Sequence, residues 1–235
     1  MVLKLLLISN STAHGEGYLD HCIAELAAVL GERRSLVFVP FAIADREAYG
    51  RQAAARLSAA GIEVEVLRTG RGSLRTLEAA EAVFVGGGNT FRLLDTIQSC
   101  GLLEPLRERV CAGMPYLGAS AGSNLACPTI RTTNDMPIVQ PASFAALGLV
   151  PFQINPHYLD APDGATHMGE TREQRLVEYL EANERPVVGL REDSWIRVEG
   201  DRAALGGRRG VRIFRRGREP EERPAGADLT DLLSV

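Results

Sequence analysis

Gly118-Ala119-Ser120-Ala121-Gly122 sets one hydroxyl among small residues. In the pattern Gly-x-Ser-x-Gly the serine occupies a sharp strand-to-helix turn, and small neighbours relieve the crowding there. Pro115, Tyr116 and Leu117 end an apolar run just before it, and the segment from Ala121 onward can begin a helix. Such a helix would aim free N–H groups and the positive end of its dipole at whatever Ser120 attacks. The chemistry suggested is acyl transfer, with those N–H groups placed where an oxyanion would form. Alone, the five residues also fit a glycine- and serine-rich loop, so the rest of the chain must decide.

A second cluster, Gly86-Gly87-Gly88-Asn89-Thr90, follows the apolar run Ala82-Val83-Phe84-Val85. It leads into Phe91, Leu93, Leu94 and Ile97 at helical spacing. Glycines between a strand and a helix let the backbone approach a ligand and point its N–H groups at an anion. The cluster lacks both the dinucleotide fingerprint and the lysine of a phosphate loop. A second oxyanion donor within these glycines fits better than a nucleotide site.

A serine nucleophile needs a base, and the base needs a third group to fix its tautomer. Of the four histidines, His14, His21 and His167 read as surface residues in loops or on the first helix. His157 follows an expected strand and the rigid Asn155-Pro156 pair, which makes it the candidate base. Candidates for the third member are Asp135, Asp160, Asp163, Glu192 and Asp193. Glu192 ends a strand, on the edge of the sheet where Ser120, Gly88 and His157 are expected. The order Ser, His, Glu differs from that of the α/β-hydrolases, which points to another α/β scaffold.

The elements that must carry these residues follow a strand–helix rhythm. Leu3–Ile8 is a nearly all-apolar strand of the kind buried on both faces in parallel sheets. Leu19, Cys22, Ile23, Leu26, Val29 and Leu30 mark a helix, Leu36–Pro40 a second strand and Asp45–Ala60 an alanine-rich helix capped by Asp45. Ile62–Leu67 is a third strand and Ala82–Val85 a fourth; Leu103–Ala112 is a helix before the serine turn. Phe152–Ile154 reads as a strand ending at a loop that holds His157, and a helix introduced by Gly169–Glu173 carries Leu176, Val177 and Leu180. Val187–Leu190 is a further strand, and from Trp195 onward short alternating stretches suggest antiparallel hairpins at the sheet edge. This predicts one domain over residues 1–235: a three-layer, doubly wound α/β fold with a mostly parallel sheet and a C-terminal hairpin region. The Gly- and Asp-rich stretch from Asp160 to Gly169 is a candidate lid.

Composition excludes several classes. The net charge is −4, and the Arg-rich segment from Arg208 to Arg223 is interleaved with Glu219, Glu221 and Glu222, so nucleic acid is not an expected partner. No stretch approaches membrane-spanning length, and the N-terminal apolar run is too short for a signal sequence. Cys22, Cys100, Cys111 and Cys127 are dispersed, without zinc spacing, and read as buried thiols of a reducing, cytoplasmic compartment. Neither a metal nor a cofactor is called for.

Six blocks together resemble the peptidase E family of α-aspartyl dipeptidases. They are Val85–Phe91, Gly118–Asn124, Thr133–Ile138, Asn155–Tyr158, Gly169–Glu173 and Gly189–Glu192, in that order and over nearly the whole chain. The resemblance implies a fold similar to class I glutamine amidotransferases, with Ser120 where those enzymes carry cysteine. It implies hydrolysis of dipeptides with an N-terminal aspartate: Ser120 as nucleophile, His157 as base and Glu192 as orienting acid. Asp135 also falls in a family block, as support for the histidine or for the fold around it. Gly88 and Ala121 would form the oxyanion hole, and Asn89, Glu170 and Arg172 would bind substrate, with Arg172 reading its carboxylate. Glu170 would meet the substrate ammonium or favour the start of its helix. The partner implied is a small Asp-Xaa peptide, met by a monomer or homodimer. The nearest alternative is a β-aspartyl peptidase resembling cyanophycinase; further off is a non-catalytic module binding acidic amino acids.

Overall fold

The computed structural model describes residues 2–160 and 169–234. Much of the expected lid, with Asp163 and His167, lies outside the described residues. In chain order the elements are β1 (Lys4–Ile8), α1 (Ile23–Leu30), β2 (Ser35–Val39), α2 (Arg46–Ser58), β3 (Glu63–Val66), α3 (Ser73–Ala79), β4 (Val83–Val85), α4 (Thr90–Ser99), α5 (Leu103–Cys111), β5 (Tyr116–Ala119) and α6 (Ala121–Ala126). There follow β6 (Gln153–Tyr158), α7 (Arg172–Ala182), β7 (Val187–Arg191), β8 (Ser194–Glu199), β9 (Arg202–Gly207), β10 (Val211–Phe214), β11 (Glu221–Arg223) and a final 3₁₀ turn, Thr230–Ser234.

Seven strands form the main sheet in the order β3-β2-β4-β5-β1-β8-β9. The first five run parallel, whereas β8 lies antiparallel to β1 and β9 antiparallel to β8. Strand side chains alternate between two cores. Leu6, Ile8, Phe38, Phe84 and Leu117 pack under α1 and α2, while Leu5, Leu7, Val37, Val83, Val85 and Tyr116 pack against α3 to α6. This is the expected three-layer α/β arrangement.

Two features depart from the sequence expectation. The strands β6 and β7 leave the main sheet and join β10 and β11 in a second one, ordered β11-β10-β7-β6. The C-terminal segments are therefore shared: β8 sits inside the main sheet beside β1, and β10 and β11 extend the second. The strand expected to stop at Ile154 also runs on through Pro156 and His157. Proline is tolerated because β6 is an edge strand, where its missing N–H leaves no ladder partner unpaired.

Smaller differences have local causes. The helix α3 has no clear apolar period, with only Ser73 and Leu77 buried, and so left no mark in the pattern. Leu19 has φ +62° and turns the chain ahead of α1, so that helix starts later than its apolar spacing suggests. Asp45 does cap α2, its carboxylate accepting from the Ala48 N–H at 2.9 Å.

The cysteines are not uniformly buried. Cys22 and Cys127 are, and burial pushes both thiols up to about 12; Cys100 is half-buried and Cys111 exposed. Only thiolate reacts with disulfide reagents. In native protein Ellman's reagent is expected to titrate Cys111 fast and Cys100 slowly, with all four thiols reacting only in guanidinium. Prompt reaction of four thiols in buffer would contradict this burial.

Candidate active site

Parallel strands end at one edge of a sheet, and ligands of open α/β folds gather there. β5 is followed by Ser120, β4 by the glycine loop and β1 by Ser9. The antiparallel β8 starts at this same edge, with Trp195 beside Ile8, which brings the Glu192-Asp193 turn to it. β6 and β7 deliver His157 and Glu192 from the second sheet.

Ser120 stands between β5 and α6 at φ +52°, ψ −107°, a conformation that costs about 1–3 kcal/mol for a residue with a Cβ. The surroundings enforce it. The Ser120 N–H donates to the Ile8 carbonyl at 2.9 Å, and its own carbonyl accepts from the N–H groups of Ser123 and Asn124. The Ser123 hydroxyl is within hydrogen-bond distance of the carbonyls of Ile8 and Gly118, at 2.8 and 2.9 Å. Gly118 and Gly122 are needed for contact: a Cβ on Gly118 would fall 2.6 Å from the Gly122 carbonyl oxygen, and one on Gly122 would overlap the Val85 carbonyl.

Of the four described non-glycine residues with positive φ, Ser120, His157 and Asp193 belong to this edge; Leu19 is the other. His157 has φ +53°, at the point where the β6–β7 register shifts between Pro156 and Tyr158. The bulge brings its ring to the serine: Nε2 lies 3.0 Å from Ser120 Oγ, and Nδ1 lies 2.7 Å from Glu192 Oε1. The imidazole and the carboxylate are 38% and 44% exposed, so a small solute can reach both.

Asp135 stands elsewhere in this arrangement. Its Oδ2 accepts from the Thr90 N–H at 2.7 Å and the Thr90 hydroxyl at 2.6 Å, with the Thr133 hydroxyl at 3.0 Å. It thus caps the start of α4, directly after the glycine loop. Asn134 Nδ2 donates to the Pro156 carbonyl at 2.7 Å, and Asn155 Nδ2 to Asn134 Oδ1 at 2.9 Å. The 132–136 segment is a strap joining the glycine loop to the strand of His157.

Gly88 has φ +127°, and a Cβ there would meet the Ala42 carbonyl oxygen at 2.7 Å. A Cβ on Gly87 would lie 3.2 Å from that of Ser120, so the loop runs directly past the serine. The Gly87 N–H is bound by the Tyr49 hydroxyl at 2.9 Å, and Tyr18 donates to the same oxygen at 3.4 Å. Burial raises both phenols above their ordinary range. Tyr49 was hidden in the sequence as one position of an alanine-rich helix; only its large polar-tipped ring among small residues set it apart. The N–H groups of Gly88 and Ala121 have no acceptor among the described residues.

The three residues expected to bind substrate are placed differently. Asn89 caps α4, its Oδ1 accepting from the Arg92 N–H at 3.0 Å while Nδ2 donates to the Met136 carbonyl at 2.8 Å. Glu170 is exposed, 3.5 Å from Arg175. Arg172 opens α7, half-buried, with no ion-pair partner among the described residues; Glu173 is paired to Arg212 instead. Burial first, and then repulsion from Arg175, lowers its pKa below the usual arginine value, against the attraction of Glu192. His21, expected at the surface, has both ring nitrogens shielded from solvent, and burial lowers its pKa.

The end of β7 is clamped just before Glu192. Arg191 reaches Asp160 at 2.8 and 2.7 Å and Glu222 at 2.9 Å twice, and these bonds raise its pKa further. Two paired bidentate contacts fix the backbone from which Glu192 projects.

Two solved structures share the fold. The chain is similar to a peptidase from an acI-B1 Actinobacterium, with TM-score 0.70 and 19% identity over 97% of each chain. It is also similar to a putative peptidase E protein from Listeria monocytogenes EGD-e, with TM-score 0.65 and 21% identity, covering 96% of this chain and 100% of that one. In sequence it is 56% identical to peptidase E of Streptomyces coelicolor, over 99% of this chain and 96% of that protein. It is 46% identical to a probable alpha-aspartyl dipeptidase of Drosophila melanogaster, over 98% and 97%. Peptidase E of Salmonella typhimurium is 47% identical, over 95% and 99%. Residues 5–206 match Peptidase family S51. With the family match spanning most of the chain and close relatives covering nearly all of it, the protein belongs to peptidase family S51 and is a serine peptidase.

Proposed function

We propose that the protein is an α-aspartyl dipeptidase acting through a Ser120–His157–Glu192 triad and an acyl-enzyme. The observation that carries this reading is the unbroken chain of contacts from Ser120 Oγ through the His157 ring to Glu192, at 3.0 and 2.7 Å. Nδ1–H donates to Glu192, which leaves Nε2 free to accept the serine proton. Ser120 Oγ attacks the peptide carbonyl carbon as that proton passes to Nε2. The oxyanion is met by the N–H groups of Gly88 and Ala121, each donor worth about 3 kcal/mol in the transition state. His157 then gives its proton to the departing amine as the C–N bond breaks. Water, deprotonated by the same nitrogen, releases the aspartyl group from Ser120.

Specificity for an acidic side chain requires a cation not already neutralised. Arg172 supports this role: it is half-buried, unpaired among the described residues and within the field of Glu192. Asp135 supports the glycine loop, in this reading, and Asn89 acts through the same loop. The relatives named peptidase E and alpha-aspartyl dipeptidase support the same substrate class.

The test is hydrolysis of Asp-Leu, β-Asp-Leu, Glu-Leu, Asn-Leu and Ala-Leu by purified protein. Cleavage of Asp-Leu in preference to the others is expected; preference for β-Asp-Leu would move the protein to the β-aspartyl reading. Arg172→Ala is expected to lower kcat/KM for Asp-Leu about 10²-fold, the loss of a charge-assisted pair, and to change Asn-Leu far less. An equal loss on both dipeptides would remove Arg172 from carboxylate recognition.

A further inference from the structure

The main sheet and the second sheet meet at the end of β1. Ser9 is entirely buried there, although nothing in an apolar strand requires a hydroxyl. Its N–H donates to the Ser194 carbonyl at 3.0 Å, which continues the β1–β8 pairing by one residue. Its Oγ donates to the Leu190 carbonyl of β7 at 2.8 Å and accepts from the His157 N–H of β6 at 2.9 Å.

The geometry explains why a hydroxyl stands here. In the parallel β6–β7 ladder Pro156 pairs with Leu190 and Tyr158 with Arg191, and His157 is the extra residue between them. A bulged residue loses its ladder partner. The His157 N–H and the Leu190 carbonyl face the gap, and both are too deep for either to be left open without cost. Ser9 Oγ joins them, accepting a hydrogen bond from the His157 N–H and donating one to the Leu190 carbonyl. The next residue holds the turn beside the acid: Asn10 Oδ1 accepts from the N–H of Asp193, which follows Glu192 at φ +63°, 2.8 Å away, and Asn10 Nδ2 donates to the Thr12 carbonyl at 2.9 Å.

We infer that Ser9 is a positioning residue for the triad: its hydroxyl holds the His157 backbone in its left-handed bulge and fixes the ring between Ser120 and Glu192. The inference rests on the triad reading above and deepens it. Ser9 touches neither substrate nor reacting atoms; it acts through His157. Without its oxygen the His157 N–H and the Leu190 carbonyl face each other across the gap, and the bulge relaxes toward regular pairing. Because a one-residue shift in a strand turns a side chain to the opposite face, even partial relaxation swings the imidazole off Ser120.

The test compares wild type with Ser9→Ala and Ser9→Thr, measuring kcat and KM on Asp-Leu, the melting temperature, and the low-field NMR resonance of the His157 Nδ1 proton. Ser9→Ala is expected to lose about 10- to 100-fold in kcat, the scale of a misplacement of about 1 Å, with KM changed less than about twofold. The Nδ1 proton resonance should move upfield as its bond to Glu192 lengthens, and Ser9→Thr, which keeps the hydroxyl, should recover most of both signals. A Ser9→Ala protein with a lower melting temperature but unaltered kcat and an unaltered Nδ1 resonance would overturn the inference, since a merely structural hydroxyl gives that result. Should Ser9→Ala not fold, Ser9→Cys, which fills the site with a somewhat larger atom and weakens both bonds, is read in its place by the same criteria. The resonance does not depend on the substrate, so the inference is separable from the triad: undiminished activity in His157→Ala would sink the triad itself.

Discussion

Ser120→Ala is expected to reduce kcat on Asp-Leu by about 10⁵–10⁶-fold while leaving the fold intact, since losing a nucleophile removes covalent catalysis altogether. The structure adds a second arm to this experiment. Ser120 sits at φ +52° and its side chain caps no helical N–H, so the hydroxyl contributes little to local stability. Alanine inherits the strained backbone; glycine does not. Ser120→Gly should therefore be inactive yet about 1 kcal/mol more stable than Ser120→Ala, read as a higher denaturant midpoint at equal slope. A glycine variant no more stable than the alanine one would mean that the turn carries no strain. Substantial residual turnover in both would remove Ser120 as nucleophile.

The second large effect separates two acids that sequence alone leaves together. Glu192→Gln is expected to lower kcat by about 10³–10⁴-fold. The amide can present its NH₂ group to Nδ1 and so favour the tautomer that carries its proton on Nε2, where it cannot accept from Ser120. Exposure of the carboxylate, at 44%, places the effect toward the lower figure. Asp135→Asn should act differently, because Asp135 holds the Thr90 N–H and hydroxyl and not the imidazole. It is expected to destabilise the protein by about 1–3 kcal/mol and to loosen the glycine loop, with kcat falling less than in Glu192→Gln. If Asp135→Asn proved the more damaging to kcat at equal folded fraction, the third member of the triad would have to be reassigned.

What the sequence made legible was local and periodic. Apolar runs alternating with helical spacing marked the strands of the main sheet, and small residues around Ser120 and at 86–88 marked the two turns that need them. Which sheet a strand joins is a different matter. Val187–Leu190 is apolar on both faces whether it lies in one sheet or another, so its departure from the main sheet left no trace in the pattern. Asn155-Pro156 read as a loop because proline ends most strands, and only an edge position makes the strand possible. The strap around Asp135 was hidden for another reason. Its acid could serve a histidine or a helix start equally well, and the choice depends on Thr90, 45 residues away. Ser9 was hidden most completely, as a single polar residue at a strand end, where polar residues are ordinary.

Ser120 follows a strand of the main sheet, His157 lies in the second sheet, and Glu192 stands in the turn that links β7 of the second sheet to β8 of the main one. Segments of a protein can open separately, at free energies well below that of global unfolding. On the proposed triad, slight parting of the two sheets would separate Ser120 from His157 while each sheet kept its own hydrogen bonds. Catalytic competence would then be a gauge of one interface, and the chain would lose its activity before its secondary structure.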